Sequence, residues 1–312
     1  MNPISAIFGA GVAIRNALYD RHIFKIHKLA RPVISVGNIS VGGTGKTPFV
    51  IALGELLKQR GIAFDVLSRG YGRRLTEIAV VDPDGTSANF GDEPLLMAHK
   101  LGVPVIVGAD RYQAGLLAEK QFSSKLHLLD DGFQHRRLHR DFDIVLLPAE
   151  DYRSTLLPVG RLREPLKALQ RANAVVLQDS LELSSGPKRV WNVHRKIEIA
   201  ENSGRVIAFC GIGRPQQFFH ALRAAHQEIA GIMIFRDHHH YAESDISRLL
   251  ETKKKLNASG FITTEKDAIN LGRLATQLVP LQTASLRMEL ESPEQVISEM
   301  LQTLEQRCAC KF

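Results

Sequence analysis

The sequence predicts an α/β fold in which a mostly parallel sheet carries helices on both faces and is followed by a second, smaller α/β domain. Short, uninterrupted apolar segments alternate with helical segments along the chain, and this alternation is typical of strands buried on both faces of a parallel sheet. A polar stretch with Ser-Ser-Gly-Pro at residues 184–187 separates two sets of such segments. Ligands of such sheets bind beyond the carboxyl ends of the strands, so residues that follow strands are the candidates for chemistry.

The first unit, residues 31–185, begins with an apolar strand at Ile34 that runs into a glycine-rich turn and a helix. Apolar runs and helical spacing then predict strands at 63–67, 103–107, 126–129, 144–147 and 174–177, with helices at 94–101 and 111–120. A linker is expected over 186–204, and the second unit is expected over 205–312. Its pattern predicts strands at 205–209, 232–235 and 261–263 and helices at 216–225, 244–256 and 294–304.

The turn after the first strand has the composition of a phosphate-binding loop. Its glycines allow backbone N–H groups to point at an anion, and the N-terminus of the next helix adds positive charge. The usual pattern has glycine where Ser40 stands, and a glycine-rich turn with a chance Gly-Lys-Thr is the alternative. Because a strand precedes the turn and a helix follows it, we predict a P-loop NTPase-type domain. The predicted nucleotide-binding residues are Ser40, Val41, Gly42, Gly43, Thr44, Gly45, Lys46 and Thr47.

Two acidic residues, Asp130 and Asp131, follow the apolar strand at 126–129. P-loop enzymes hold their metal with an acidic residue at such a strand end, so both are predicted as Mg²⁺ partners, together with the hydroxyl of Thr47. Asp and Gly also favour turns without any function. The metal prediction therefore depends on the P-loop upstream.

Two further segments at the edges of elements offer groups for proton transfer. Gly91-Asp92-Glu93-Pro94 opens a helix, and residues 235–241 follow a strand of the second unit with three consecutive histidines. A kinase benefits from a carboxylate or imidazole that orients the attacking hydroxyl and accepts its proton. Taken alone, Asp92 is also expected as a helix cap. Adjacent histidines do not share one helix face, which disfavours a zinc site.

The composition predicts a folded protein without a membrane-spanning segment. The 312 residues are 44% hydrophobic and 23% charged, and no window approaches the roughly 18 uninterrupted apolar residues of a spanning helix. Three cysteines without a Cys-x-x-Cys pair indicate a reducing cytosol. The net charge of +7 favours an anionic partner, although an ordinary solvated surface explains it as well.

Residues 1–30 combine a short apolar stretch with a following cluster of Arg, Lys and His. Apolar residues at about helical spacing followed by cations describe an amphipathic segment that lies in a membrane interface. The segment lacks the leading basic residues and the cleavage site of a signal peptide. A helix packed on the protein's own core is the alternative.

Several short motifs occur along the chain in one order. They are Val-Gly-Asn-Ile-Ser-Val-Gly-Gly-Thr-Gly-Lys-Thr-Pro at 36–48, Leu-Ser-Arg-Gly-Tyr-Gly-Arg at 67–73, Gly-Asp-Glu-Pro at 91–94, Asp-Asp-Gly-Phe-Gln-His at 130–135, Gly-Arg-Leu-Arg-Glu-Pro at 160–165, Gly-Ile-Gly at 211–213, Phe-Arg-Asp-His-His at 235–239 and Thr-Thr-Glu-Lys-Asp at 263–267. Together, over about residues 31–270, they resemble the tetraacyldisaccharide 4'-kinase family, the lipid A 4'-kinases of Gram-negative bacteria. That family's loop likewise tolerates a residue other than glycine at Ser40, whereas Arg214 stands where Asn is expected.

The resemblance implies transfer of the γ-phosphoryl group of ATP, with Mg²⁺, to the 4'-hydroxyl of an acylated glucosamine disaccharide 1-phosphate, forming lipid IVA. It implies that Lys46 binds phosphates and that Asp92 accepts the hydroxyl proton, with His238 paired to it from the second domain. By the same resemblance, the metal residues are Thr47, Asp130, Asp131 and Glu164, and the weaker candidates for the lipid's phosphate and sugar are Arg69, Tyr71, Arg111 and Arg163.

An acylated substrate stays in the bilayer, so the resemblance also favours the interfacial role for residues 1–30. We expect a peripheral protein at the cytoplasmic face of the bacterial inner membrane, with no nucleic acid and no obligate protein partner. The positive net charge would help on an anionic leaflet.

Two other functions are less favoured. A regulatory P-loop GTPase would normally carry Asn-Lys-x-Asp, and the nearest string, at 264–267, has the wrong spacing. A basic ATPase that binds nucleic acid would interleave aromatic and basic residues, and the sequence does so only at 15–31.

Overall fold

The computed structural model describes residues 2–178, 189–199, 204–308 and 312, which form a twelve-stranded sheet with helices on both faces. The polar stretch at 180–188, where the sequence predicts a boundary, lies outside them. The strands are β1 Val33–Asn38, β2 Phe64–Ser68, β3 Ala79–Val80, β4 Val105–Val107, β5 Leu126–Asp130, β6 Phe142–Leu147, β7 Ala174–Gln178, β8 Val190–Ile199, β9 Val206–Cys210, β10 Ile229–Ile234, β11 Gly260–Thr264 and β12 Leu281–Leu290. The helices are α1 Pro3–Asp20, α2 Lys46–Gln59, α3 Ser87–Phe90, α4 Asp92–Leu101, α5 Arg111–Gln121, α6 Ala149–Tyr152, α7 Pro215–Ala224, α8 Glu243–Lys255, α9 Glu265–Leu271 and α10 Pro293–Cys308.

The strand order β10-β9-β11-β12-β8-β7-β6-β1-β5-β2-β4-β3 contains two parallel blocks. Strands β7, β6, β1, β5, β2 and β4 pair in parallel throughout, and with their helices we call them the first lobe. Strands β10, β9 and β11 also pair in parallel, and with α7, α8 and α9 we call them the second lobe. The mostly parallel α/β architecture predicted from the sequence is confirmed.

Two long strands join the lobes. β8 runs parallel to β7, β12 runs parallel to β11, and β8 and β12 pair with each other in antiparallel register. The prediction of a linker over 186–204 is wrong for residues 190–199, which form β8. Polar and apolar side chains mix along both strands, for example at Lys196 and Arg287, which lie opposite each other. Because no uninterrupted apolar run marks them, the sequence predicts neither strand.

Both faces of the first lobe are covered because successive side chains of a strand point to opposite faces. Leu128 of β5 lies in the cluster that holds Phe49 of α2 and Leu95 of α4. The next residue, Leu129, lies in the cluster that holds Ala114 of α5. Strand ends are therefore the part of this sheet that stays accessible to a ligand.

The second lobe is covered in the same way, with Leu249 of α8 in one cluster and Phe219 of α7 in another. The last helix departs from the predicted domain 205–312. Val296 and Met300 of α10 join the core of the first lobe beside Trp191. The chain therefore crosses between the lobes more than once, and the second lobe ends before α10.

Candidate active site

The glycine-rich turn lies between the end of β1 and the start of α2. Gly42 and Gly45 have φ values of +78° and +85°, in the left-handed region that glycine adopts without steric cost. These conformations turn the backbone toward the N-terminus of α2, which begins at Lys46. The turn thus has the geometry of an anion-binding site at a helix N-terminus.

Side chains from several elements hold this loop. Asn38 donates to the hydroxyl of Thr44 over 2.7 Å, and the carbonyl of Thr44 accepts from Gln178 at 2.9 Å and from Arg195 at 3.2 Å. The loop is therefore fixed before any ligand binds, which reduces the cost of ordering it around phosphates.

Ser40, the first residue of the loop, is hydrogen-bonded to other residues of the protein. Its hydroxyl donates to the carboxylate of Asp151, and its carbonyl accepts from Arg163 at 3.0 Å. Both Ser40 and Asp151 are fully buried. This geometry favours support of the loop by the Ser40 side chain, and a nucleotide contact from it stays a prediction.

Lys46 and Arg163 both pair with Asp131. The Lys46 ammonium lies 3.4 Å from the Asp131 carboxylate, and the Arg163 guanidinium lies 3.1 Å from it. Burial opposes ionisation of Asp131, but the charges of Lys46 and Arg163 outweigh it and lower the pKa of Asp131. An ionised Asp131 therefore holds Lys46 over the loop.

The surroundings of Asp130 shift its pKa in the opposite direction to that of Asp131. It is buried at the end of β5, and one carboxylate oxygen accepts from Ser68 at 3.1 Å. The other oxygen has no hydrogen-bond partner in the described part of the chain. Burial, followed by the charges of Glu93 and Asp131, raises the pKa of Asp130 to about 7. A buried, unpartnered carboxylate oxygen among like charges is a position that Mg²⁺ would fit, so the residues present suit that ion.

Asp92 and His238 meet between the lobes. Asp92 is the first residue of α4, and His238 lies in the loop after β10. The Nδ1 atom of His238 lies 3.0 Å from one Asp92 oxygen and 3.1 Å from the other. Asn270 of α9 donates to Asp92 at 2.9 Å. The backbone N–H of Glu93 also donates to Asp92 at 2.8 Å. Gly91 occupies the N-cap position of α4, so the helix-cap alternative for Asp92 is wrong.

These donors determine the charge of Asp92. Burial opposes its ionisation, but the hydrogen bond from His238, the charge of Lys266 and the hydrogen bond from Asn270 together lower its pKa to about 2. Burial lowers the pKa of His238, but the Asp92 carboxylate raises it, so that the pKa of His238 lies above its usual value. Asp92 is therefore ionised at neutral pH.

The four residues predicted to contact substrate fall into two places. Tyr71 is 63% exposed, and its ring centroid lies 5.0 Å from that of His238. Arg69 is exposed, and Arg111 is buried near Asp130 and Asp131. Burial and the like charge of Arg69 lower the pKa of Arg111. Arg163 instead lies under the P-loop. Tyr71, Arg69 and Arg111 thus remain candidates for an anionic acceptor.

Glu164, the fourth predicted metal residue, is buried, and both of its carboxylate oxygens already accept hydrogen bonds. Arg171 contacts both of its oxygens, at 2.8 and 3.2 Å. Asn16 donates to it at 2.9 Å and Gln134 at 3.1 Å. With four donors on one carboxylate, the geometry favours a structural role for Glu164 and offers no vacant position to Mg²⁺.

Helix α1 is held on the first lobe by polar contacts. Asn16 reaches Glu164, the Ser5 hydroxyl donates to the carbonyl of Leu156 at 2.9 Å, and Arg136 pairs with Asp20 at 2.6 Å. Its outer face exposes large apolar side chains at Ile4, Ile7 and Ile14, and the segment after it exposes Ile23 and Phe24. No helix among the described residues is long and apolar enough to cross a bilayer.

Sequence reasoning assigned no role to four residues of this region. Arg214 pairs with Glu150 and with the buried Asp151, and it lies against the P-loop, 3.4 Å from where a Cβ on Gly43 would stand. Asn270 and Lys266 approach Asp92 from α9. The motif at 263–267 marked Lys266 without a role, and no local pattern marks Asp151 or Asn270.

A P-loop with its lysine and an acidic pair lies on the first lobe, and the second lobe supplies an imidazole to Asp92, a further carboxylate of the first lobe. This combination defines a P-loop phosphotransferase that acts between two lobes.

Comparison with known proteins identifies the family. A family model described as Tetraacyldisaccharide-1-P 4'-kinase matches residues 1–305. A tetraacyldisaccharide 4'-kinase of Koribacter versatilis is 50% identical over 98% of this chain and 99% of its own length. One from Aquifex aeolicus is 39% identical over 86% of this chain and 88% of its own length. The crystal structure of the "apo" form of LpxK from Aquifex aeolicus in complex with ATP matches 96% of this chain and 97% of that chain, with a TM-score of 0.79 and 35% identity. The chain belongs to the tetraacyldisaccharide 4'-kinase family and is a kinase with a hydroxyl acceptor, which confirms the predicted resemblance.

Proposed function

We propose that this chain transfers the γ-phosphoryl group of ATP to the 4'-hydroxyl of an acylated glucosamine disaccharide 1-phosphate, forming lipid IVA. The observation that carries the proposal is the contact between Asp92 and His238, two residues from different lobes, in a chain that also carries a P-loop with Lys46 at the start of α2. Phosphoryl transfer needs positioning and charge neutralisation more than covalent chemistry. Groups that two lobes bring together provide both.

Each protein group has a definite part in the reaction. The N–H groups of the loop and the Lys46 ammonium bind the phosphates, and Asp131 positions that ammonium before the nucleotide arrives. Thr47 and Asp130 would hold Mg²⁺, which would supply charge neutralisation to the transferring phosphoryl group. The acceptor oxygen forms its bond to the γ-phosphorus as the bond to the β-phosphate oxygen breaks, and ADP leaves.

Asp92 accepts the proton that the acceptor hydroxyl loses. A carboxylate with a pKa of about 2 is a weak base, but in a loose transition state the hydroxyl keeps its proton until late. Orientation of the hydroxyl by the ionised Asp92 is therefore its larger contribution. The hydrogen bonds from His238 and Asn270 keep the carboxylate in place for this purpose.

The acceptor lies in a membrane, and α1 supports access to it. Its outer face carries Ile4, Ile7 and Ile14, while the polar contacts of its inner face hold it on the first lobe. An amphipathic helix of this kind inserts its apolar side into the lipid interface, and nearby cations favour anionic lipids. We infer peripheral binding at the cytoplasmic face of the bacterial inner membrane.

The proposal is tested by product analysis. Purified protein with Mg-ATP and detergent-dispersed acylated disaccharide 1-phosphate is expected to yield the 1,4'-bisphosphate, identified by mass spectrometry. Lys46→Ala is the matched inactive control, because it removes charge from the transition state. Consumption of ATP without phosphorylated lipid would reject the proposal.

A further inference from the structure

Lys266 lies beside the Asp92–His238 pair but has no part in the mechanism described so far. It is the second residue of α9, and Asn270, which donates to Asp92, follows it by one helical turn on the same helix. Residues four positions apart share one face of a helix. The carboxyl end of β11 and this face of α9 thus present both side chains to the first lobe.

The Lys266 ammonium is surrounded by acidic groups and one imidazole. It lies 3.3 Å from Glu93, 3.5 Å from Asp237 and 3.8 Å from Asp92. It also lies 3.3 Å from Nε2 of His238. Burial acts against its charge, but the three carboxylates outweigh burial and raise the pKa of Lys266. Lys266 is therefore an ammonium ion at every pH at which the enzyme would be assayed.

An ammonium group can only donate hydrogen bonds, so the atom of His238 that faces it must accept. Nε2 consequently carries a lone pair, and the ring proton is on Nδ1, where it is donated to Asp92 at 3.0 Å. A proton on Nε2 would place two hydrogen-bond donors 3.3 Å apart with no acceptor between them, and one of them is an ammonium. Asp237 does not provide an alternative acceptor, since its carboxylate is 3.9 Å from Nε2.

We propose that Lys266 is a positioning residue that favours the neutral, Nδ1-protonated form of His238 against the imidazolium that Asp92 favours, so that the imidazole donates to Asp92 from Nδ1. The inference rests on the proposed role of the Asp92–His238 pair. With Nδ1 as donor, the Asp92 carboxylate stays ionised and oriented toward the acceptor hydroxyl. Without the ammonium, the ring is free to gain a second proton or to change tautomer.

The charged and titratable groups that face His238 come from both lobes. Asp92 raises its pKa, as does Glu93, and Lys266 lowers it. Asp237 lies on the same loop, and the phenol ring of Tyr71 packs against the imidazole. Among these groups, only the charge of Lys266 opposes protonation of the ring. Its removal therefore shifts the titration of His238 toward higher pH.

The first measurement uses the unmodified protein. Nitrogen-15 NMR of histidine-labelled protein at pH 8, with His238 assigned by comparison with His238→Gln, is expected to show a neutral ring protonated at Nδ1. A ring protonated at Nε2, or an imidazolium at that pH, would overturn the proposal without any change to Lys266.

The second measurement compares variants in the kinase assay. In Lys266→Met, kcat is expected to fall about tenfold or more, part of the roughly 10²–10⁴-fold effect of a positioned acid or base. The KM values for both substrates should stay near those of the unmodified protein. The acid limb of the pH–rate profile should move up by about 1 pH unit, and in Lys266→Arg it should return most of the way to its position in the unmodified protein. Arg273→Met, which removes an exposed cation just beyond α9, is the matched control.

The two proposals fail in different ways. If Asp92→Ala is fully active, the role of the pair itself is rejected. If Asp92→Ala is inactive but Lys266→Met has an unshifted acid limb, only the positioning role is rejected. A rise in the KM of the lipid at constant kcat would instead assign Lys266 to substrate binding.

Discussion

Asp92 and Asp130 are both buried carboxylates, and their neighbours move their pKa values in opposite directions. His238, Lys266 and Asn270 overcome burial at Asp92 and lower its pKa to about 2. At Asp130, burial and the nearby charges of Glu93 and Asp131 raise the pKa to about 7. Two carboxyl groups separated in this way suit different tasks. We propose that Asp92 orients the acceptor hydroxyl and that Asp130 binds Mg²⁺.

The Asp92–His238 pair predicts non-additive kinetics. Asp92→Ala and His238→Ala are each expected to lower kcat by about 10²-fold. Because the two side chains act as one unit, the double variant should lose less than the product of the single losses. Fully multiplicative losses in steady-state assays would mean that they act separately.

We expect the substitution Asp130→Asn to change how the stability of the protein depends on pH. The folded-state pKa of about 7 lies above the value of the unfolded chain, so the folded state binds more protons between these values. Stability of the metal-free protein therefore falls as pH rises from about 4 through 7. Asparagine removes that dependence, and Tm at pH 8 should exceed that of the unmodified protein. If the plots of Tm against pH for Asp130→Asn and for the unmodified protein were parallel, this prediction would be wrong. Asp84→Asn, which replaces an exposed carboxylate, is the control.

At the scale of single elements, α1 has two faces with different partners. Hydrogen bonds of Ser5 and Asn16 hold its inner face on the first lobe, whereas Ile7 and Ile14 on the outer face have no core to cover. The structure shows one of the two alternatives for the N-terminal segment, a helix packed on the protein. Binding of its outer face to lipid is our proposal.

Ile7→Ser tests the outer face. Ile7 is 74% exposed, so its loss should leave Tm unchanged. If the side chain enters lipid, binding to anionic vesicles should weaken about fivefold or more, because a buried isoleucine contributes about 1.5–3 kcal/mol. Ile234→Ser, at a residue 52% exposed in the second lobe, should bind vesicles like the unmodified protein. Equal vesicle binding by all three proteins in a sedimentation assay would reject the role.

Glu164→Gln distinguishes a structural role from metal binding. Removing one charge of a buried ion pair leaves Arg171 uncompensated, which costs about 3 kcal/mol and should lower Tm by roughly 5 °C or more. The Mg²⁺ concentration needed for half-maximal activity should not change. An unchanged Tm with a raised Mg²⁺ requirement would support the metal role instead.

At the scale of the whole molecule, one sheet carries both lobes, and further contacts between the lobes reinforce their connection. β8 and β12 continue the hydrogen-bonded ladder between the lobes, and α10 returns from the second half of the chain to the first core. Arg214 adds an ion pair from the second lobe to Asp151, which also holds Ser40 of the P-loop. The position of the second lobe is thus linked to the phosphate-binding loop.

Arg214→Asn introduces the residue expected from the family resemblance and tests this link. The fully buried Asp151 would lose its closest cation, which should destabilise the protein by about 3 kcal/mol. Chemical denaturation measures this loss. Arg223→Asn, on an exposed position of α7, should change stability by less than about 0.5 kcal/mol. Equal stability of the two variants would show that the lobes do not depend on this pair.

The sequence by itself determined the alternation of strands and helices, the phosphate-binding loop, the acidic strand end and the family, because each depends on residues close together in the chain. Tertiary structure decided the rest. Asp92 and His238 are 146 positions apart, and motif order suggested their pairing only through the resemblance. The roles of Lys266, Arg214, β8 and α10 follow from strand order and packing between distant segments. Such contacts leave no periodicity in the sequence, because a buried charge is defined by what surrounds it and not by its neighbours along the chain.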